Sequence, residues 1–161
     1  MSYGAASWTF TQDDQTAIQK VLLSFLNESQ AKSALVVDRS GQLVTTAGEL
    51  PRFDATAFAS LTAADFSAND QLARLIGESD FNTLFHQGEK ESMLLADVAR
   101  RVILVVLFDN KTTLGLVKLK LKPAVEQLAR QFATIGTRPA RPADQRPLLG
   151  NVDEEIDKLF Q

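Results

Sequence analysis

The side chains that most often carry out chemistry are scarce in this chain. It has one histidine, His86, and no cysteine. A lone imidazole without thiolate partners is a poor basis for a zinc site, and the missing cysteines also exclude disulfides and cysteine nucleophiles. A Ser-His-Asp relay would have to run through His86, yet no Gly-x-Ser-x-Gly elbow accompanies it. Neither the Walker pattern nor the dinucleotide glycine pattern occurs. The acid pairs Asp13/Asp14 and Glu154/Glu155 stand where helix N-termini would be capped, so they read as solvated charge. Lys118, Lys120 and Lys122 read as an exposed face, and Trp8 is isolated. No set of residues assembles a catalytic constellation. The expectation is a protein without an active site, metal or cofactor of its own, working through its surfaces.

Composition agrees with that class. The chain has 161 residues, 45% hydrophobic and 23% charged, which suits one domain with room for a tail. A net charge of −3 disfavours a general nucleic-acid binder. The longest apolar run, Val102 to Phe108, is seven residues, against about 20 for a membrane-spanning helix. The N-terminus lacks the basic-then-apolar order of a secretory signal. These features lead to the expectation of a cytoplasmic protein with no membrane insertion.

The elements that would present such surfaces follow from periodicity. Thr11 and Asp14 form a capping-box-like pair, and Ile18, Val21, Leu22, Phe25 and Leu26 make one helical stripe. Ala34–Asp38 and Leu43–Ala47 read as a hairpin around the turn Asp38-Arg39-Ser40-Gly41. Asp54 can cap a second helix ending near Gly77, with Phe58, Leu61, Leu72, Leu75 and Ile76 expected to face the core. Strands are expected at Phe81–Gln87, Ser92–Val98 and Val102–Phe108, joined by short turns that make them antiparallel neighbours. VILVVLF is apolar at every position and therefore central, with the hairpin on its other side. The expected fold is an α/β three-layer sandwich: a five-stranded antiparallel sheet in the order 2-1-5-4-3 with helices on both faces. Phe81–Gln87 is then an open edge, which must be protected or paired with another chain.

Three segments admit two readings. On the second helix, Ala64, Ser67, Ala68 and Gln71 form a small, nearly uncharged face, suited either to close approach by another backbone or to packing on the chain's own sheet. Leu116–Lys122 alternates like a strand, while Leu114, Val117, Leu121, Val125, Leu128 and Phe132 form a helical stripe with Pro123 inside it. Beyond Gly136 the composition shifts to GTRPARPADQRPLLG, a semi-extended linker by its prolines and arginines. The last eleven residues, NVDEEIDKLFQ, read as a short amphipathic helix with Val152, Ile156, Leu159 and Phe160 on one side. That stripe could dock in a partner's groove or fold back on its own domain. The chain thus divides into an N-terminal tail (1–10), a domain (11–136), a Pro/Arg-rich linker (137–150) and a C-terminal helix (151–161).

The order helix, hairpin, helix, three-strand meander, helix resembles the Roadblock/dynein light-chain family. The likeness is carried by SALVVDRSGQLVTTAG, ASLTAADFSANDQLARLIGESDF, FHQGEKESM, RVILVVLFDNKTTLGLVKLKLK and the tail NVDEEIDKLF. The resemblance implies a homodimer in which the third strands pair across a two-fold axis and the second helices lie side by side. It implies one long helix over Leu114–Ile135, although the family pattern has no proline at the position of Pro123. It also implies activation of a small, bacterial Ras-like GTPase, bound in its GTP state by the paired second helices. The contact positions would be Ala64, Ser67, Ala68 and Gln71, the last bulkier than the residue often found there. The partner's own catalytic groups would be repositioned, without an arginine finger from this chain. Val152, Ile156, Leu159 and Phe160 would contact a separate site on the partner and modulate affinity or nucleotide exchange. Such a protein serves cell polarity or motility and can be concentrated at a cell pole through its partners. The other reading is a dimeric scaffold of the same fold that stimulates no hydrolysis.

Overall fold

The structure is a computed structural model that describes residues 9–79 and 81–137. Eight elements follow in chain order: α1 (Gln12–Ser29), β1 (Ser33–Asp38), β2 (Leu43–Gly48), α2 (Ala55–Leu75), β3 (Thr83–Gln87), β4 (Ser92–Val98), β5 (Val102–Phe108) and α3 (Leu114–Thr137). The strands form one antiparallel sheet in the order β2-β1-β5-β4-β3, as the apolar run of β5 required.

Strand alternation sorts the core onto two faces. Ala34, Val36, Leu94, Ala96, Leu104 and Val106 point to one face, where Ile18, Leu22 and Phe25 of α1 and Val117, Leu121, Leu128 and Phe132 of α3 cover them. Leu35, Val37, Leu95, Ile103 and Val105 point to the other and meet Ala59 and Phe66 of α2. Val102 to Val106 are buried on both sides, which places β5 at the centre of the sandwich.

Local chemistry sets the boundaries. Thr11 N–H donates to Asp14 Oδ2 (2.9 Å) and Asp14 N–H to Thr11 Oγ1 (3.1 Å), a complete capping box on α1. Gly48 closes β2 at φ +88°, and a Cβ there would stand 2.5 Å from the Lys32 carbonyl. The ambiguous segment is helical and continues through Pro123. Thr113 opens it, accepting Leu116 N–H on its Oγ1 (3.2 Å), while Thr112 donates to the Ser29 carbonyl (2.6 Å) and ties that corner to α1.

The two sheet edges are treated differently. At β2, the Gln19 side-chain amide of α1 donates to the Thr46 carbonyl (2.9 Å) and to Thr45 Oγ1 (2.8 Å), covering part of that edge. At β3, five residues pair with β4 and, among the described residues, with no strand on the other side; Thr83, His86 and Gln87 are exposed. The linker (137–150) lies almost wholly, and the C-terminal helix with Val152, Ile156, Leu159 and Phe160 entirely, outside the described residues.

Candidate functional site

The candidate surface is the outward face of α2 together with the adjoining β3 edge. α2 begins at Asp54, whose Oδ1 accepts from Thr56 N–H (3.0 Å) and Ala57 N–H (3.2 Å). Its buried residues are Ala59, Thr62, Ala63, Phe66, Asn69 and Ala73. Phe66 is the single large anchor, and the alanines let the helix lie close to the sheet.

The helix phase differs from the sequence expectation. Leu61 (70% exposed), Leu72 (57%), Leu75 (82%) and Ile76 (70%) face outward, not into the core. Phe58 alone of that group packs, half-buried, against the sheet. Long aliphatic side chains look like core in a sequence, but five strands and three helices supply only a narrow seat under α2, and small residues fill it. The small face of Ala64, Ser67, Ala68 and Gln71 is exposed, and it merges with the leucines.

Two contacts orient this face. His86 Nε2 on β3 donates to Asp65 Oδ2 on α2 (2.6 Å), so the Asp65 side leans toward the open edge. Ser60 Oγ donates to the Gly41 carbonyl in the β1–β2 turn (3.4 Å), so the Ser60 side leans the other way. Helical spacing then puts Leu61, Asp65, Leu72 and Ile76 in one strip beside β3. Ala57, Ala64, Ala68, Gln71 and Leu75 form the crown, with Ser67 on its far flank.

A clasp holds α2 at its height above the sheet. Arg39, in the β1–β2 turn, donates from Nη1 to Asp70 Oδ2 (2.7 Å) and from Nη2 to Asp97 Oδ1. Its guanidinium carbon lies 4.9 Å from the Phe66 ring centroid. Burial works against the Arg39 charge, but the hydrogen bonds and charges of Asp97 and Asp70 outweigh it and hold the pKa above its ordinary value. The pattern of the turn gave Arg39 no role in the sequence reading; an arginine two residues from a turn glycine is the only signal it leaves.

Among the described residues, no three His, Cys, Asp or Glu side chains converge as metal ligands, and no helix is long and apolar enough to cross a membrane. His86 makes its bond to a helix carboxylate, Asp65. The arrangement offers apolar area, small side chains for close approach and a strand edge that no described strand pairs, which are the means of binding.

A family model described as the Roadblock/LC7 domain matches residues 17–108. Among solved structures, Myxococcus xanthus MglB is 43% identical, with a TM-score of 0.71, over 74% of this chain and 97% of that one. The gliding protein MglB of Thermus thermophilus is 31% identical, with a TM-score of 0.75, over 81% and 99%. A further MglB structure, described as having a tetrameric arrangement, is 31% identical, with a TM-score of 0.74, over 82% and 98%.

Proposed function

Because the chain belongs to the Roadblock/LC7 family and is of MglB type, we propose that it is a homodimeric activator of a small Ras-like GTPase of the MglA type. The observation that carries this reading is the uncovered apolar face of α2 beside an open strand edge. Pairing of β3 with the same strand of a second copy would extend the sheet and satisfy the open backbone groups. It would also set the two α2 helices side by side, with the Leu61–Leu72 strips turned toward each other. The crown of Ala64, Ala68 and Gln71, with Ser67, then remains free on both copies as a platform.

On this reading the platform binds the GTP-loaded partner and presses its switch segments into place. The partner's own arginine and glutamine then stabilise the transition state and orient the attacking water. Arg39 supplies no finger, because both its terminal nitrogens are held by carboxylates. Residues 151–161, through Val152, Ile156, Leu159 and Phe160, reach a second site on the partner and tune affinity or exchange.

The double change Ser67→Arg, Gln71→Arg places bulk and charge on the crown and leaves the β3-side strip untouched. It is expected to abolish stimulated GTP hydrolysis, measured as phosphate release with the cognate GTPase, while the solution mass stays that of a dimer. Stimulation surviving both changes would reject the assigned face. Binding without stimulation by the unmodified protein would identify a scaffold of the same fold.

A further inference from the structure

The lysines of α3 have no part in the proposed GTPase platform, which lies on the opposite face of the sheet. Lys118, Lys120 and Lys122 alternate with Leu119 and Leu121, and Lys111 precedes the helix. Helix geometry separates the alternating residues: Leu121 is buried, whereas Leu119 is turned outward and 66% exposed. Lys120 reaches Glu28 of α1 (3.9 Å). Lys118 and Lys122 are exposed and have no carboxylate within 4 Å among the described residues. The first ten residues of α3, Leu114 to Pro123, carry three lysines and no acid. This is a basic flank with an apolar centre, and no described residue covers it.

The same chain ends in a complementary segment. Residues 151–161 hold Asp153, Glu154, Glu155 and Asp157 against Lys158, a net charge of −3, with Val152, Ile156, Leu159 and Phe160 at helical spacing. Reach permits an intramolecular contact. From Thr137 back to Leu119 is 18 residues of helix, about 27 Å at 1.5 Å per residue. The linker from 138 to 150 has 13 residues, about 40 Å in an extended polyproline conformation and about 20 Å as a flexible coil. A tether of that length holds its end at a high effective concentration around α3.

We propose that residues 151–161 dock on the Lys118–Leu119–Lys122 flank of α3 in their own chain. The leucine receives the apolar stripe and the lysines pair with the acids. A tail seated there is withheld from any other surface, so a partner that engages it must first displace it. The contact belongs to the free protein and does not depend on what α2 binds.

The absence of cysteine allows a unique label pair. Spin labels at Glu126→Cys and Gln161→Cys in the full chain are expected to give a narrow distance distribution below about 25 Å, since an eleven-residue helix spans about 17 Å. Lys118→Glu with Lys122→Glu is expected to broaden it, as is Asp153→Lys with Glu154→Lys. The latter pair lies outside the described residues, so its effect is read without touching a contact of the described fold. Combining all four changes is expected to restore the narrow distribution. A broad distribution in the unmodified charge background overturns the proposal, as does a narrow one indifferent to both charge reversals. Loss of the short distance on tenfold dilution with unlabelled chain assigns the contact to a second copy and also overturns it. So does binding of acidic phospholipid vesicles through Lys118 and Lys122 by a chain whose label distances are broad.

Discussion

At the scale of single residues, the Arg39 clasp and the turn between β4 and β5 carry the most specific chemistry. Arg39 joins the β1–β2 turn, α2 and the β4 end through Asp70 and Asp97. Replacing it by methionine keeps an apolar contact with Phe66 but removes the cationic partner of two partly buried carboxylates, of which Asp97 retains the Arg100 N–H (3.2 Å). Arg39→Met is expected to lower stability by about 2 kcal/mol, read from a urea midpoint. The β4–β5 turn is unusual because Ala99 (φ 54°) and Arg100 (φ 59°) are both left-handed without being glycine. A hairpin connection with two successive left-handed residues favours glycine or asparagine at those positions. Ala99→Gly removes a Cβ conflict and is expected to raise stability by about 0.5–1 kcal/mol in the same measurement. Neither feature shows in a linear reading. The Arg39 partners are 31 and 58 residues away, and left-handed geometry at alanine runs against local preference.

At the scale of elements, legibility depended on how much of each pattern is decided locally. The stripe of α1, its capping box and the wholly apolar β5 were readable, because burial on one or both faces leaves a direct imprint. The phase of α2 was not. Its leucines face outward, and hydrophobicity alone cannot tell an exposed apolar face from a core. The LKLKLK alternation of α3 obeyed tertiary context over local period: Val117, Leu121, Leu128 and Phe132 can cover the sheet together only as a helix. Pro123 is tolerated because it lies on the exposed side, and the carbonyl it leaves without a donor belongs to solvent-facing Leu119. Proline remains a poor helix residue there. Pro123→Ala is expected to stabilise the domain by about 1–3 kcal/mol, seen as a higher thermal midpoint.

At the scale of the whole molecule, the surfaces proposed for assembly and for partner binding, the β3-side strip and the crown of α2, are separate parts of one helix. Leu61 and Leu72 belong to the strip beside β3, Gln71 to the crown and Ser67 to its far flank. Leu61→Glu with Leu72→Glu is therefore expected to shift the solution mass, by light scattering, from two subunits toward one at micromolar concentration. The arginine changes at Ser67 and Gln71 are expected to leave it at two. The opposite pattern would exchange the roles of the two surfaces. The family likeness nominates the candidate face, and the structure adds which residues of α2 lean toward the open edge, through the His86–Asp65 contact. That direction could not come from helical spacing alone, which fixes relative angles on a cylinder but not where the cylinder points.

The amide of Gln19, laid over the outer carbonyl of Thr46, has a consequence for growth. A slab with two adhesive rims can add copies without end and become a fibre. Where part of one rim is stoppered, addition of copies there is impeded, and in the proposed two-fold pairing the other rim of each copy is used up by its mate. A strand ladder built in that way is expected to stop at two copies rather than lengthen with concentration.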